Sequence, residues 1–291
     1  MDLKLLHEVR KLLIRNNKIE MINRSTRTIN MWILDFSHNK LTNYDENDLN
    51  CNSDILDLSY NKLTHVFLNI GKSSVNLVGN YILSLGPYEK TPFDSRTLYL
   101  TNFPSNTTFQ IENEFIMTGS NITRLDKQIF DMNRLYTQYY KRPVIDFSNS
   151  SVSFISKLYF GEMYLKEINL SYNNLTVLEG PFFKNIYVDK INLAFSGIRF
   201  LSNTSFEGLN SCDEIILKGN FLKVVENICS KSTFTRLDLS FNEIRQLEVK
   251  TLSNCMTLES LNLSYNSIEI IEPGILQTIP QLHILDLSRN N

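Results

Sequence analysis

Three stretches late in the chain read Leu237-Asp238-Leu239-Ser240-Phe241-Asn242, Leu261-Asn262-Leu263-Ser264-Tyr265-Asn266 and Leu285-Asp286-Leu287-Ser288-Arg289-Asn290. All three fit the spacing L-x-x-L-x-L-x-x-N-x-L-x-x-L, whose positions are numbered one to fourteen. Outward from these, position nine falls at Asn17, Asn39, Asn61, Asn80, Ser120, Ser150, Asn173, Ser196, Asn220, Asn242, Asn266 and Asn290. A weaker copy around Leu98 and Leu100 puts Phe103 there. Most intervals are 19 to 24 residues. Self-similarity at such a period is the mark of a solenoid, in which each repeat stacks only on its neighbours.

Each position has a physical reading. Apolar residues at four and six, such as Leu34 with Phe36, Leu56 with Leu58, Ile168 with Leu170 and Ile191 with Leu193, alternate with polar ones. Alternation at period two predicts a short strand with one buried face, paired in parallel with the next repeat. The chain must then turn away, and its buried backbone groups need partners. An asparagine amide donates and accepts, so a ladder at position nine can tie successive turns together, and serine can do part of this. Apolar residues at position nineteen, Leu49, Phe130, Phe160, Phe183, Phe206, Leu252 and Leu276, are expected to fill the outer side of the core.

This pattern resembles the typical leucine-rich repeat, with its period near 24 residues and its outer phenylalanines. That subtype is similar to the repeats of Toll and Toll-like receptor ectodomains, insect cell-surface adhesion proteins and secreted insect leucine-rich immune proteins. The resemblance covers nearly the whole chain. It implies an α/β repeat solenoid: a curved horseshoe with a concave parallel β-sheet and a convex side of loops and 3-10 turns. It also implies a non-catalytic recognition module of innate immunity or cell adhesion, outside the cell or on its surface. Such a module binds a protein ligand or co-receptor, or a glycan, through its concave or lateral face. Dimerisation is compatible with it.

Bulk properties agree with that class. Of 291 residues, 42% are hydrophobic and 21% charged, which excludes a disordered chain. A net charge of −2 with mixed signs gives no phosphate-binding surface and argues against nucleic acid. Lys4, Arg10, Lys11 and Arg15 interrupt any signal-peptide core, and no run of 18 apolar residues suggests a membrane span. Cys51, Cys212, Cys229 and Cys255 form no CxxC pair, so zinc is not expected. Cys212 and Cys255 fall on apolar core slots, where free thiols are the default; a bridge between Cys229 and Cys255 is the alternative.

The whole of residues 1–291 reads as one domain of twelve firm repeats and one doubtful copy. It is irregular at 86–111, and at 126–142 an insertion carries Tyr136, Tyr139, Tyr140, Lys141 and Arg142. Insertions in solenoids become loops on one face, and repeat drift is the plainer explanation. Cysteine-rich caps are missing at both ends, so a fragment of a longer protein is expected.

Few constellations of residues could carry chemistry. His7, His38, His65 and His283 occupy unrelated repeat positions and cannot converge. Gly71-Lys72-Ser73 resembles the end of a phosphate loop but lacks the earlier glycine, since Val66 stands there. Asp35, Asp57, Asp146, Asp238 and Asp286 share position five with Asn76, Asn169, Asn192 and Asn262 and should line the concave face. Position eight carries Tyr60, Tyr172, Phe195, Phe241 and Tyr265 along one edge. Exposed aromatics suit binding hot spots, although sideways packing on adjacent repeats would also explain them. With Lys190, Arg236, Asp238 and Glu259 they form the candidate recognition surface. Glycosylation sequons begin at Asn23, Asn106, Asn121, Asn149, Asn169, Asn174, Asn203 and Asn262. Asn106, Asn121 and Asn203 are the better acceptors, because Asn169 and Asn262 arise from the repeat itself. No cofactor and no catalytic set is expected. The alternatives are an intracellular, cytoplasmic scaffold for protein partners, an enzyme, and a relic without function.

Overall fold

The computed structural model describes residues 9–22, 29–49, 51–68, 72–86, 93–102, 109–126, 142–229 and 232–291. Asn23, Asn106, Phe103, Phe130, Gly71, His7 and insertion residues 127–141 lie outside the described residues. Contacts divide the chain into two compact units. One has its described residues between 9 and 120; the other holds 121–126 and 142–291.

The first unit carries parallel strands Lys11–Leu13, Ile29–Asp35, Cys51–Asp57, Lys72–Asn76, Phe93–Tyr99 and Phe109–Ile116, in sequence order. The second carries Val144–Asp146, Tyr164–Asn169, Ile186–Asn192, Leu209–Ile216, Phe234–Asp238, Ser260–Asn262 and Ile284–Asp286. Register is set by motif position: Leu237 faces Leu261, and Leu261 faces Leu285. Identical positions pair because only that register buries every apolar side chain at four and six. Leu34, Phe36, Leu56, Leu58, Ile168, Leu170, Ile191 and Leu193 are all buried.

The turn after each strand is built by two side chains. At position five, Asp35, Asp57, Asn76, Asp146, Asn169, Asn192, Asp238, Asn262 and Asp286 each accept the backbone N–H two residues on. This is the Asx turn that ends a strand. At position nine, Asn61 Nδ2 donates to the carbonyls of Leu58 at 3.0 Å and of Phe36, one repeat back, at 2.9 Å. Its Oδ1 accepts from Leu41 N–H at 3.0 Å. Asn39, Asn80, Asn220, Asn242, Asn266 and Asn290 repeat these bonds. Asn173 does the same across Phe147, Leu170 and Val152. Asn17 bonds carbonyls of its own turn. Ser196 reaches Leu170 and Ala194 carbonyls through its hydroxyl.

The weak copy differs from its sequence alignment. Its strand Phe93–Tyr99 pairs normally with Lys72–Asn76, but Asn102, not Phe103, makes the ladder contacts, accepting Ile82 N–H at 3.0 Å. The turn is one residue shorter, so the amide arrives early. On the outer side, Phe160, Phe183 and Phe206 stack with ring centroids 6.0 and 6.4 Å apart. Leu276 departs from expectation: it is exposed, and Ile275 fills the slot because the 3-10 turn Ile275–Thr278 rotates it inward. A second 3-10 turn, Val249–Thr251, packs beside buried Leu252.

Lys72 has an unexpected environment. It stands at position one, a core slot, and is only 3% exposed. Its ammonium donates to Glu46 at 2.5 Å and to the Ser53 carbonyl at 2.8 Å. A buried charge is tolerated only when paired and hydrogen-bonded.

Two stability predictions follow from these contacts. Lys72→Met removes the ammonium paired with the buried Glu46 carboxylate and should cost about 3–5 kcal/mol in urea unfolding, whereas the double change with Glu46→Leu should recover most of it. Equal losses in single and double variants would refute the pair's role. Asn242→Ala leaves the N–H of Leu222 unsatisfied and takes one of two amide donors from each of the Leu217 and Leu239 carbonyls, which Asn220 and Asn266 still reach, and should cost about 1–3 kcal/mol. Asn242→Ser should cost clearly less, as Ser196 illustrates.

Candidate recognition surface

Position eight sits between the Asx turn and the ladder amide, and the chain must reverse there. Asn16, His38, Tyr60, Gly79, Gly119, Asn149, Tyr172, Phe195, Gly219, Phe241, Tyr265 and Arg289 occupy it, and all have φ between 49° and 73°. Glycine and asparagine take this left-handed conformation readily, while a bulky side chain there costs about 1–3 kcal/mol. Aromatic residues nevertheless fill it in both units. Their rings lie flat on one another. Centroids are 4.5 Å apart for His38 and Tyr60, 5.1 Å for Tyr172 and Phe195, and 4.2 Å for Phe241 and Tyr265.

Two of the three stacks end on glycines. A Cβ on Gly79 would stand 2.6 Å from the Tyr60 ring, and one on Gly219 would collide with the Phe195 ring. Glycine is needed twice over there, for φ and for space. Lys218 lies 5.0 Å over the Phe241 ring, and Arg199 lies 4.8 Å over Phe221, two residues beyond Gly219. Sideways packing therefore exists, yet it leaves the rings accessible: Tyr172 is 57% exposed, Tyr265 47%, and Phe195, Phe221 and Phe241 42–43%. Phe221 and Lys218 carried no sequence signal, because their positions in the motif are unconstrained.

The other candidates lie on the open face of the sheet. Strand register places Glu167, Lys190, Glu214 and Arg236 side by side at position three, an alternating ladder of charges. Lys190 approaches Glu167 at 3.3 Å. Asp189, beside them at position two, holds Arg142 at 2.5 Å. Asp238 uses a carboxylate oxygen to cap Ser240 N–H at 2.8 Å. Glu259 is exposed at position two, and its carbonyl accepts from His283. The candidates thus fall on a stacked aromatic edge and on a sheet face of alternating charges. Tyr60 belongs to the first unit and its own stack with His38. The Asn121 and Asn203 side chains are exposed, whereas the Asn169 and Asn262 carbonyls are held by the Ser171 and Ser264 hydroxyls.

Cys229 and Cys255 are bonded, with Cα atoms 5.1 Å apart, which corrects the default of a free thiol at Cys255. The outer slots of successive repeats bring them together across 26 residues. Cys212 is buried and free, and burial pushes its thiol up to about 12. Burial likewise raises Tyr159, with Asp126 adding to the effect. Among the described residues, no three His, Cys, Asp or Glu side chains are grouped to hold a metal.

Residues 232–291 match the family profile described as leucine rich repeat, and residues 164–186 match a second profile of that description. With the strand ladder above, these matches give the chain a leucine-rich-repeat fold, parallel strands joined through loops and 3-10 turns. No curated protein matches its sequence. Among solved structures it is similar to TLR13 in complex with ssRNA13, at 20% identity and a TM-score of 0.53, covering 99% of this chain and 47% of that one. It is also similar to Toll bound to Spatzle, a hub of development and innate immunity in Drosophila. There the identity is 13% and the TM-score 0.52, over 90% of this chain and 45% of that one. The chain spans about half the length of these structures, and the likeness is one of fold.

Thiol chemistry tests the core. Below pH 9 Cys212 should resist iodoacetamide in the native state, because its thiol stays protonated up to about 12. It should react fast once unfolded, where the ordinary value of about 8.5 returns. Rapid native labelling at pH 8 would contradict its burial. Reducing the Cys229–Cys255 bond should lower stability by about 2–4 kcal/mol.

Proposed function

We propose that the chain is a non-catalytic recognition module that holds a protein ligand or co-receptor along the aromatic edge of its second unit. One observation carries the reading: Tyr172, Phe195, Phe241 and Tyr265 are kept exposed in a left-handed conformation that glycine or asparagine would adopt at lower cost. Residues that fold against a local preference and remain exposed mark functional sites. Flat rings give contact area with little entropy to lose, and the nearby Lys218 and Arg199 favour a partner with carboxylates.

The sheet face is the weaker candidate. Lys190 is already paired with Glu167, and Glu214 and Arg236 alternate in sign beside them, so the face offers a ligand no net charge. Net charge of −2 favours protein over nucleic acid, although one of the two similar structures contains single-stranded RNA. A location outside the cytosol is supported by the Cys229–Cys255 bond, since such bonds persist in oxidising compartments. Innate immunity or adhesion is the setting the repeat subtype suggests. The intracellular scaffold would instead require both thiols free.

The test uses an array of purified extracellular protein domains as probes. Phe241→Asn and Tyr265→Asn should each weaken any specific binding at least tenfold. Their stability should shift by less than about 1 kcal/mol, because relief of the left-handed strain offsets the lost stacking. Lys190→Ala should leave binding within a few-fold. Binding that depends on Lys190 and Arg236 but tolerates both aromatic changes would move the site to the sheet face.

A further inference from the structure

Position thirteen precedes buried position fourteen on the flank that follows each ladder turn. Period-two alternation turns its side chain to solvent, so a polar row is expected. In the second unit from Phe154 onward it reads Phe154, Val177, Phe200, Val224, Gln246 and Ile270. Five of these six are apolar, and they are 40% to 59% exposed. Backbone pairing fixes the row: Val177 sits beside Phe200, and Gln246 beside Ile270. These paired neighbours are about 4.8 Å apart. Hollows open along it, one lined by Phe154 and Val177, another by Phe200 and Val224. A contiguous exposed apolar stripe of this kind marks an interaction surface.

The charges beside the stripe decide its occupant. Along one edge, position twelve is basic in three successive repeats: Arg199, Lys223 and Arg245, all exposed. Along the other, position fifteen holds Glu179, Glu226, Glu248 and Glu272. Internal pairing only partly cancels this. Lys250 bridges Glu226 and Glu248 at 2.7 Å each, one ammonium against four carboxylates. Lys223 lies 3.7 Å from Glu243 and Arg199 over the Phe221 ring, while Arg245 has no ion pair of this kind among the described residues. A stripe with a basic edge and an acidic edge is complementary to itself. A two-fold axis along the stripe lays apolar row on apolar row. It brings Lys223 against the partner's Glu226, and Arg245 against the partner's Glu248. An axis across the stripe would oppose like charges.

We infer that this flank is an isologous interface that binds a second copy of the chain, repeat against repeat. It is a different row from the aromatic edge and does not depend on the function proposed for that edge. Asn203 borders the hollow of Phe200 and Val224, so a glycan there would compete with the second copy.

Sedimentation equilibrium tests this on the chain expressed through a secretory pathway, before and after N-glycosidase treatment, at about 1 to 100 μM. A concentration-dependent dimer is expected in at least one preparation, and Phe200→Asp should weaken it at least tenfold. The variant K223E/R245E should be monomeric, and so should E226K/E248K. Mixed in equal amounts, these two should form a heterodimer, because each then presents the edge the other lacks. Recovery in the mixture also shows that both variants are folded. Monomers throughout in both preparations, a dimer indifferent to Phe200→Asp, or no recovery on mixing would each overturn the inference.

Discussion

A chain that returns to the same sheet after every strand must bury its turns, and buried turns strand backbone groups. The amide of position nine resolves this. One Asn side chain satisfies a carbonyl of its own turn, a carbonyl of the preceding turn and an N–H beyond it, as Asn61 does for Leu58, Phe36 and Leu41. Each repeat is thereby tied to its neighbour by polar bonds inside an apolar stack. Serine reaches fewer partners, and where Ser196 stands the Leu175 N–H bonds the Ser196 backbone carbonyl instead. The register of the sheet depends on this side chain as much as on the leucines.

That turn also sets where function can be displayed. Ending the strand with an Asx cap and entering the core at position nine leaves position eight exposed and left-handed. The repeat asks only for a residue that tolerates that conformation. Tyr172, Phe195, Phe241 and Tyr265 go beyond what the turn requires, and their stacking offsets part of the strain. On the sheet face Lys190 is held by Glu167, and Glu214 and Arg236 follow with alternating sign. Binding is cheaper where partners are missing than where they are already satisfied.

Much of the fold was legible because it follows from spacing. The strand positions, the buried pairs at four and six and the outer phenylalanines are periodic, and periodicity survives without an alignment. Failures came where one residue was gained or lost. Asn102 replaces Phe103 because a turn is shorter, and Ile275 replaces Leu276 because a 3-10 turn has a different pitch. The buried pairing of Lys72 had no local signal, since its partner Glu46 stands 26 residues away.

The candidate surfaces were legible only in part. The sequence by itself determined a leucine-rich-repeat solenoid and the row of aromatics at position eight, because these are properties of residue type at fixed intervals. The tertiary structure decided which rows remain open. Whether Lys190 is free or paired, whether Cys229 meets Cys255, and whether Val177 and Phe200 join into one exposed stripe depends on what lies in the next repeat. Those neighbours are about 4.8 Å away in space and some two dozen residues away along the chain, a distance that local pattern does not cross.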